Sequence, residues 1–479
     1  MLLMEATEVD KVFLYSVFAE KVVRVINITE QEKQEYLAYH GPSDVINNLK
    51  NGVEALTNDE RLKGHANCIL ICGAMMGFDR GLSRFLNEMY KYDKTFFFLS
   101  EVTAENRRYT DKVCAIPHIC TPHLLAKEMV VCGIDIPINK EADRLINKKE
   151  YLQEAERNMQ LRHINLGDGY ARMWVYYAYQ YLMKLIDVLS PKQVVLWNEF
   201  YSFHVILRGI CKERSIHLKY MEFGCIPGTI CVEKKGQQGE SLVSRRWLQF
   251  YLKHVTAKEI KEAEKVLAYL YETGLNRNVQ PQKKMKDVLL FHYSSNRKTI
   301  LYLGQNDYES GLQPYTKASR RYHSPIFKSS IDALEYLNLL CIKNNYNLIF
   351  KPHPIMVSLG HNISDESRNY DYVNEIDINS VVDFSDLIVT ILSQGAYIGL
   401  IRKKPVLMLG YTQLRGKKCT YEAFNKNDIE AKIKRALSNG FTDYQRMQFK
   451  KHTAQLLKYY LYDDGNEKTC KYGKLYDNV

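Results

Sequence analysis

Several familiar signals are missing from this 479-residue chain. No apolar run reaches the ~18 residues that a membrane span needs. The first ten residues carry Glu5, Glu8 and Asp10 and no basic stretch, so they do not read as a secretion signal. Cys68 and Cys72 stand four apart, but no second pair completes a zinc spacing. The eleven cysteines are scattered and odd in number, which reads as reduced thiols in a cytoplasmic protein. Neither GxxxxGK[ST] nor GxGxxG occurs, which excludes a Walker loop and a nicotinamide dinucleotide fingerprint. There is no internal repeat or low-complexity tract, and tryptophan is scarce at 3 residues.

What is present is a globular composition, with 46% hydrophobic and 25% charged residues, and 35 tyrosines. Net charge is +11, which favours a polyanionic partner. No zinc-finger, recognition-helix or RNA-binding pattern accompanies that charge, so nucleic acid is not the expected partner. Length alone allows two large domains or three smaller ones.

Short apolar runs alternate with longer amphipathic segments, the pattern of strand-helix-strand units. Strands are expected at Asn67 to Cys72, Thr95 to Leu99, Gln193 to Trp197 and His217 to Met221. After a break between Thr273 and Lys298 a second series follows, at Thr299 to Leu303, Asn347 to Phe350, Leu387 to Leu392 and Pro405 to Leu409. The break holds Asn276, Asn278, Pro281 and the basic cluster Lys283, Lys284 and Lys286, and reads as an interdomain linker. The spacing predicts an α/β protein with two Rossmann-like parallel-sheet domains facing across a cleft. The expected domains are 1–285, 286–440, and a helical, basic tail at 441–479 that packs back on the first.

Ligands of open parallel sheets bind beyond the carboxyl ends of the strands, and the polar residues cluster there. Lys351-Pro352-His353-Pro354 follows a strand; the prolines stiffen the turn, so Lys351 and His353 read either as a phosphate clamp or as a rigid, solvated turn. Ser393-Gln394-Gly395 opens a helix after another strand, as an anion site or as an ordinary serine cap. Gly304, Gln305 and Asp307 follow the first strand of the second series, where Gly304 admits a close ligand or simply makes a turn. In the first series Glu222 stands just before Gly224, placed as a general base or nucleophile or as a loop cap. Gly73, Asp79 and Arg80, with Asn198, Glu199 and His204, occupy equivalent loops facing the same cleft from the first domain, which the resemblance given below makes the acceptor side. No DxD motif stands at a strand end, which argues against the metal clamp of single-domain sugar transferases.

Taken in order, these pieces resemble the capsule polysaccharide biosynthesis glycosyltransferases, the family of bacterial Kdo transferases. The matching residues are Gly304-Gln305-X-Asp307, Ser310-Gly311-Leu312, His323-Ser324-Pro325, Phe350 to Pro354, Ser393-Gln394-Gly395 and Lys404-Pro405-Val406, preceded by Trp197-Asn198, His204 and Glu222-Phe223-Gly224 with Pro227-Gly228-Thr229. The resemblance spans 193–410. It implies a GT-B fold and a metal-independent transferase acting at the cytoplasmic face of the inner membrane. The donor would be a nucleotide sugar, CMP-linked sugars among the candidates, and the acceptor a capsular or lipopolysaccharide-type glycan. It places the donor phosphate on His353 and Ser393, and the catalytic carboxylate on Glu222. Many relatives have an acidic pair before that glycine; here Phe223 takes the second place, which keeps Glu199 and Asp79 as alternatives. The His-Pro element also occurs in polyol-phosphate polymerases, so a CDP-polyol-dependent transferase is the alternative enzyme. A non-catalytic polyanion-binding protein is the alternative of another class.

Overall fold

The computed structural model describes residues 52–58, 60–63, 68–73, 96–99, 149–161, 168–200, 203–358 and 369–463. The chain divides into two compact units. One comprises Met1–Met76, Asn87–Lys219 and Ser358–His361, the other Gly77–Leu86, Tyr220–Val357 and Asn362–Val479. The boundary expected at 285/286 falls inside the second unit.

In the first unit β1 (Ile69–Cys72) pairs in parallel with β2 (Phe96–Leu99) and β3 (Gln193–Trp197). All four residues of β1 are buried, as expected of a parallel strand covered on both faces. Two helices, Lys149–Gln160 and Asp168–Leu189, precede β3. β4 (His217–Phe223) begins in this unit and continues into the other.

The second unit holds the rest. β4 turns back at Gly228, whose φ of 79° is the left-handed conformation that glycine tolerates, into β5 (Thr229–Glu233). The two pair antiparallel, with Glu222 opposite Cys231. The loop after Glu222 is therefore a hairpin turn, and Glu222 lies within the strand instead of at its tip.

The strands of the second series are β6 (Thr299–Leu303), β7 (Asn347–Lys351), β8 (Asp371–Tyr372), β9 (Leu387–Thr390), β10 (Val406–Met408) and β11 (Tyr421–Glu422). They form one parallel sheet in the order β8-β7-β6-β9-β10-β11. Counted from β6 this is 3-2-1-4-5-6, the doubly wound order whose direction reverses between the first and fourth strands. Successive residues of each strand point to opposite faces. Leu301, Leu303, Ile349 and Ile388 enter one core with Val266 and Leu270 of the helix Ala257–Thr273 and Phe449 of the helix Asp443–Tyr459. Ile300, Tyr302, Leu348 and Phe350 enter the other, with Leu334 and Leu337 of the helix Ser330–Asn344.

The tail is not helical throughout. After Tyr459 it forms β12 (Leu461–Asp463), which pairs antiparallel with β5. The helix before it is held to Ala257–Thr273 by the Lys458–Glu259 and Lys450–Glu264 ion pairs. No helix among the described residues is long and apolar enough to cross a membrane.

A short turn, Gln238–Glu240, lies against β4, where the Gln237 amide donates to the Met221 carbonyl at 2.6 Å. A Cβ on Gly239 would lie 1.7 Å from the Tyr322 carbonyl oxygen and 2.7 Å from that of Tyr411. Backbone oxygens cannot swing aside as a side chain can. Gly239→Ala is therefore expected to cost ~2 kcal/mol or more, the range of overpacked interiors, read as a lowered midpoint in thermal unfolding. An unchanged midpoint would mean that the turn is free to shift.

Candidate functional site

In a doubly wound sheet the crevice lies beyond the strand ends where the order reverses, here between β6 and β9. The Thr390 hydroxyl ties the two ends together, donating to the Leu303 carbonyl at 2.8 Å and accepting from the Ser393 amide at 3.1 Å. Gly304 follows β6, Ser393 follows β9, and Lys351 ends β7, so three of the sequence-derived groups surround this point.

They do not play equal parts. Asp307 is buried and accepts from the Ser330 amide and hydroxyl at 2.8 Å each, and from the Gln305 side-chain amide. These bonds fasten the loop to the helix Ser330–Asn344, while the buried side-chain oxygen of Gln305 has no hydrogen-bond partner among the described residues. Gly304 donates to the Lys351 carbonyl at 2.9 Å, and a Cβ on it would touch Phe350 and Pro352, so its smallness serves packing. Gly395 is buried and donates to the Ser393 hydroxyl at 3.2 Å; a Cβ there would lie 2.7 Å from Leu303 Cδ1. Ser393 thus accepts from the first amide of the helix Gly395–Ile401, whose N-cap position is Gln394, and its hydroxyl proton is left to donate elsewhere.

The charged centre is built around a residue that sequence reasoning passed over. Arg277 lies in the stretch read as a linker, but that stretch is fastened along its length. Gln280 accepts from the Ile378 amide, Lys283 from the Asp377 amide, and Ser380 from the Met285 amide. The Asp371 carboxylate accepts from the amides of Phe291 and His292. So held, Arg277 donates from Nη1 to Gln394 Oε1 at 2.9 Å, and its guanidinium lies 5.4 Å from the Phe223 ring centroid. It acts electrostatically on both Glu222 and His353. A lone arginine three residues beyond a left-handed helix-capping glycine, Gly274, was the signal available.

His353 is half-buried. Burial above all, then repulsion from Arg277 and Lys351, lowers its pKa to about 4. Its Nδ1 accepts from the Ile355 amide at 3.3 Å, which leaves the proton of the neutral ring on Nε2. The residue offers a neutral N–H donor near pH 7. Lys351 is buried, and desolvation lowers its pKa to about 8 against the opposing pull of Asp377. Glu222 is half-buried; desolvation raises it to about 7, opposed by Arg277 and by hydrogen bonds from the Gln238 amide and the Cys231 thiol. The site therefore sets three nitrogen donors, two of them desolvated, near one carboxyl group that titrates close to neutrality. Cations kept in low dielectric await an anion, and a carboxyl near 7 suits proton transfer.

The residues expected on the acceptor side, in the first unit, behave differently. Glu199 is 1% exposed and ion-paired to Arg208 at 2.8 Å. Asn198 adopts φ 63° and accepts the His204 Nδ1 proton on its carbonyl at 2.6 Å. His204 is buried, and burial lowers its pKa to about 4, so it braces the turn after β3. A Cβ on Gly73 would lie 2.3 Å from that of Trp197; its smallness admits a side chain, where a ligand was expected. Asp79 and Arg80 lie outside the described residues. Among the described residues no three His, Cys, Asp or Glu side chains gather in a metal-binding arrangement.

No family model matches the chain, and no curated protein does. Solved structures are similar to it. The beta Kdo 2,7 transferase of Thermosulfurimonas dismutans KpsC has 17% identity and a TM-score of 0.37, covering 59% of this chain and 81% of that one. The beta Kdo 2,4 transferase of the same protein has 14% identity and a TM-score of 0.39, covering 55% and 79%. The UDP-GlcNAc 2-epimerase of Methanocaldococcus jannaschii has 11% identity and a TM-score of 0.32, covering 80% and 98%.

The shift of Glu222 has a measurable sign. The folded group keeps its proton to about pH 7, whereas the ordinary value is 4.5. Between these values the native state binds more protons than the unfolded one, so stability falls as pH rises through the window. Glu222→Gln removes that cost. The variant is expected to exceed the wild type by about 1–2 kcal/mol at pH 8 and to match it at pH 4, measured by urea unfolding. A difference between variant and wild type that is the same at both pH values would show that folding does not shift the Glu222 carboxyl.

Proposed function

We propose that the chain is a metal-independent glycosyltransferase that moves a sugar from a nucleotide-activated donor to a growing capsular or lipopolysaccharide-type glycan. The observation that carries this reading is the convergence of Arg277, Lys351 and neutral His353 beside Glu222, next to the point where the strand order reverses. Breaking a glycosyl-phosphate bond leaves charge on the phosphate, and prepositioned donors in a low-dielectric site stabilise it. Arg277 and Lys351 supply that charge, and His353 adds an N–H from Nε2. Glu222 accepts the proton of the attacking hydroxyl, or assists from the far face of the sugar. No cofactor enters this scheme. The donor nucleotide is left open, with CMP-linked sugars among the candidates, and the acceptor is a glycan or lipid-linked glycan at the cytoplasmic face of a membrane.

The test is transfer from a panel of CMP-, CDP-, UDP- and GDP-linked donors, with phosphorus followed through the products. His353→Ala is expected to lower turnover by ~10²–10³, as for loss of an oxyanion donor. Glu222→Gln should lower it by ~10² or more with donor affinity retained. Phosphate carried into the product would replace this reading with polyol-phosphate transfer. Transfer is also expected to survive EDTA; activity lost on chelation and restored by Mg²⁺ or Mn²⁺ would refute the metal-free scheme.

A further inference from the structure

The segment after β5 carries a surface that the site chemistry does not use. It runs Arg245-Arg246-Trp247-Leu248-Gln249-Phe250-Tyr251-Leu252-Lys253. Phe250 enters the core, while Leu248 and Leu252, four residues apart, are 50% and 67% exposed. Around them stand three lysines on two tyrosine rings. Lys418 and Lys451 lie 5.0 and 4.3 Å from the Tyr251 ring centroid, and Lys253 lies 4.3 Å from that of Tyr459. The rings are fixed in turn: the Tyr251 hydroxyl donates to Gln448 at 3.0 Å and the Tyr459 hydroxyl to the His254 carbonyl at 2.7 Å. Four acids of the adjoining helices are already paired, Glu259 with Lys458, Glu262 with Lys265, Glu264 with Lys450 and Asp443 with Arg446. Among the described residues no carboxylate lies within ion-pair distance of Lys253, Lys418 or Lys451.

We propose that this face, formed by Leu248, Leu252, Lys253, Lys418, Lys451 and Tyr459, docks on an anionic lipid bilayer. Charge complementarity selects an anionic partner, and the leucines select a bilayer. A nucleic-acid or glycan backbone offers two exposed leucines no apolar surface, whereas the acyl boundary beneath lipid headgroups does. Aromatic rings suit the headgroup layer, and lysine stems lie along apolar surface while their ammonium groups reach phosphate. The docking is independent of the transferase reading and needs no nucleotide.

The full chain should co-sediment with vesicles of phosphatidylcholine mixed with phosphatidylglycerol and remain in solution with phosphatidylcholine alone. Added salt should weaken the association. Each basic residue near such a surface changes partitioning about fivefold, so Lys253→Gln should lose about that much and the triple variant K253E/K418E/K451E ~100-fold or more. L248S/L252S should lose about tenfold while keeping its salt dependence. All these positions are at the surface, and thermal unfolding checks that the variants remain folded. Equal binding to neutral vesicles, binding indifferent to both sets of substitutions, or retention on heparin or single-stranded RNA with no vesicle binding would each overturn the proposal.

Discussion

The β6-centred sheet must be covered on both faces, and much of the second unit follows from that constraint. Its strands are apolar on alternating sides, Leu301 and Leu303 toward one core and Ile300 and Tyr302 toward the other. A sheet with no solvated face cannot carry polar chemistry along its length. Polar groups are left to the strand ends, and the doubly wound order makes the ends of β6, β7 and β9 neighbours. The bond from Thr390 to the Leu303 carbonyl then fixes the spacing where the order reverses.

That burial also sets the electrostatics. Lys351 ends a fully buried strand and lies in low dielectric by construction, which brings its pKa down to about 8. Burial above all keeps the His353 imidazole neutral, with Arg277 adding to it, and Arg277 also restrains the rise of the Glu222 carboxyl. Lys351 is a cation held in low dielectric, a cost that a bound phosphate would offset on the proposed reading.

The parallel sheet was legible because its strands are short, apolar and closed by glycine, proline or serine, a local pattern. The hairpin β4–β5 was not, because Glu222-Phe223-Gly224 reads equally well as a strand end and as a strand interior; only the cross-strand partner Cys231 decides it. Edge strands such as β8 and β11, of two residues each, are too short to leave a periodic signal. Lys351 and His353 were visible since two prolines mark their turn. Arg277 was hidden in a polar stretch whose order comes from contacts with residues about 100 positions later, such as Gln280 with Ile378. The anchoring of Gln305 and Asp307 was hidden for the same reason: their partner Ser330 lies 23 residues or more away.

The central claim is that these desolvated nitrogen groups hold a nucleotide phosphate. Proton linkage tests it most directly, through calorimetric titration with CMP, CDP and UDP at pH 8 in two buffers of different ionisation enthalpy. With Lys351 near its pKa of about 8, binding of the preferred nucleotide should take up a substantial fraction of a proton and weaken as pH rises above 8. In Lys351→Met that uptake should disappear. Binding with no proton uptake and no pH dependence between pH 7 and 9, or no binding of any nucleotide, would contradict the account.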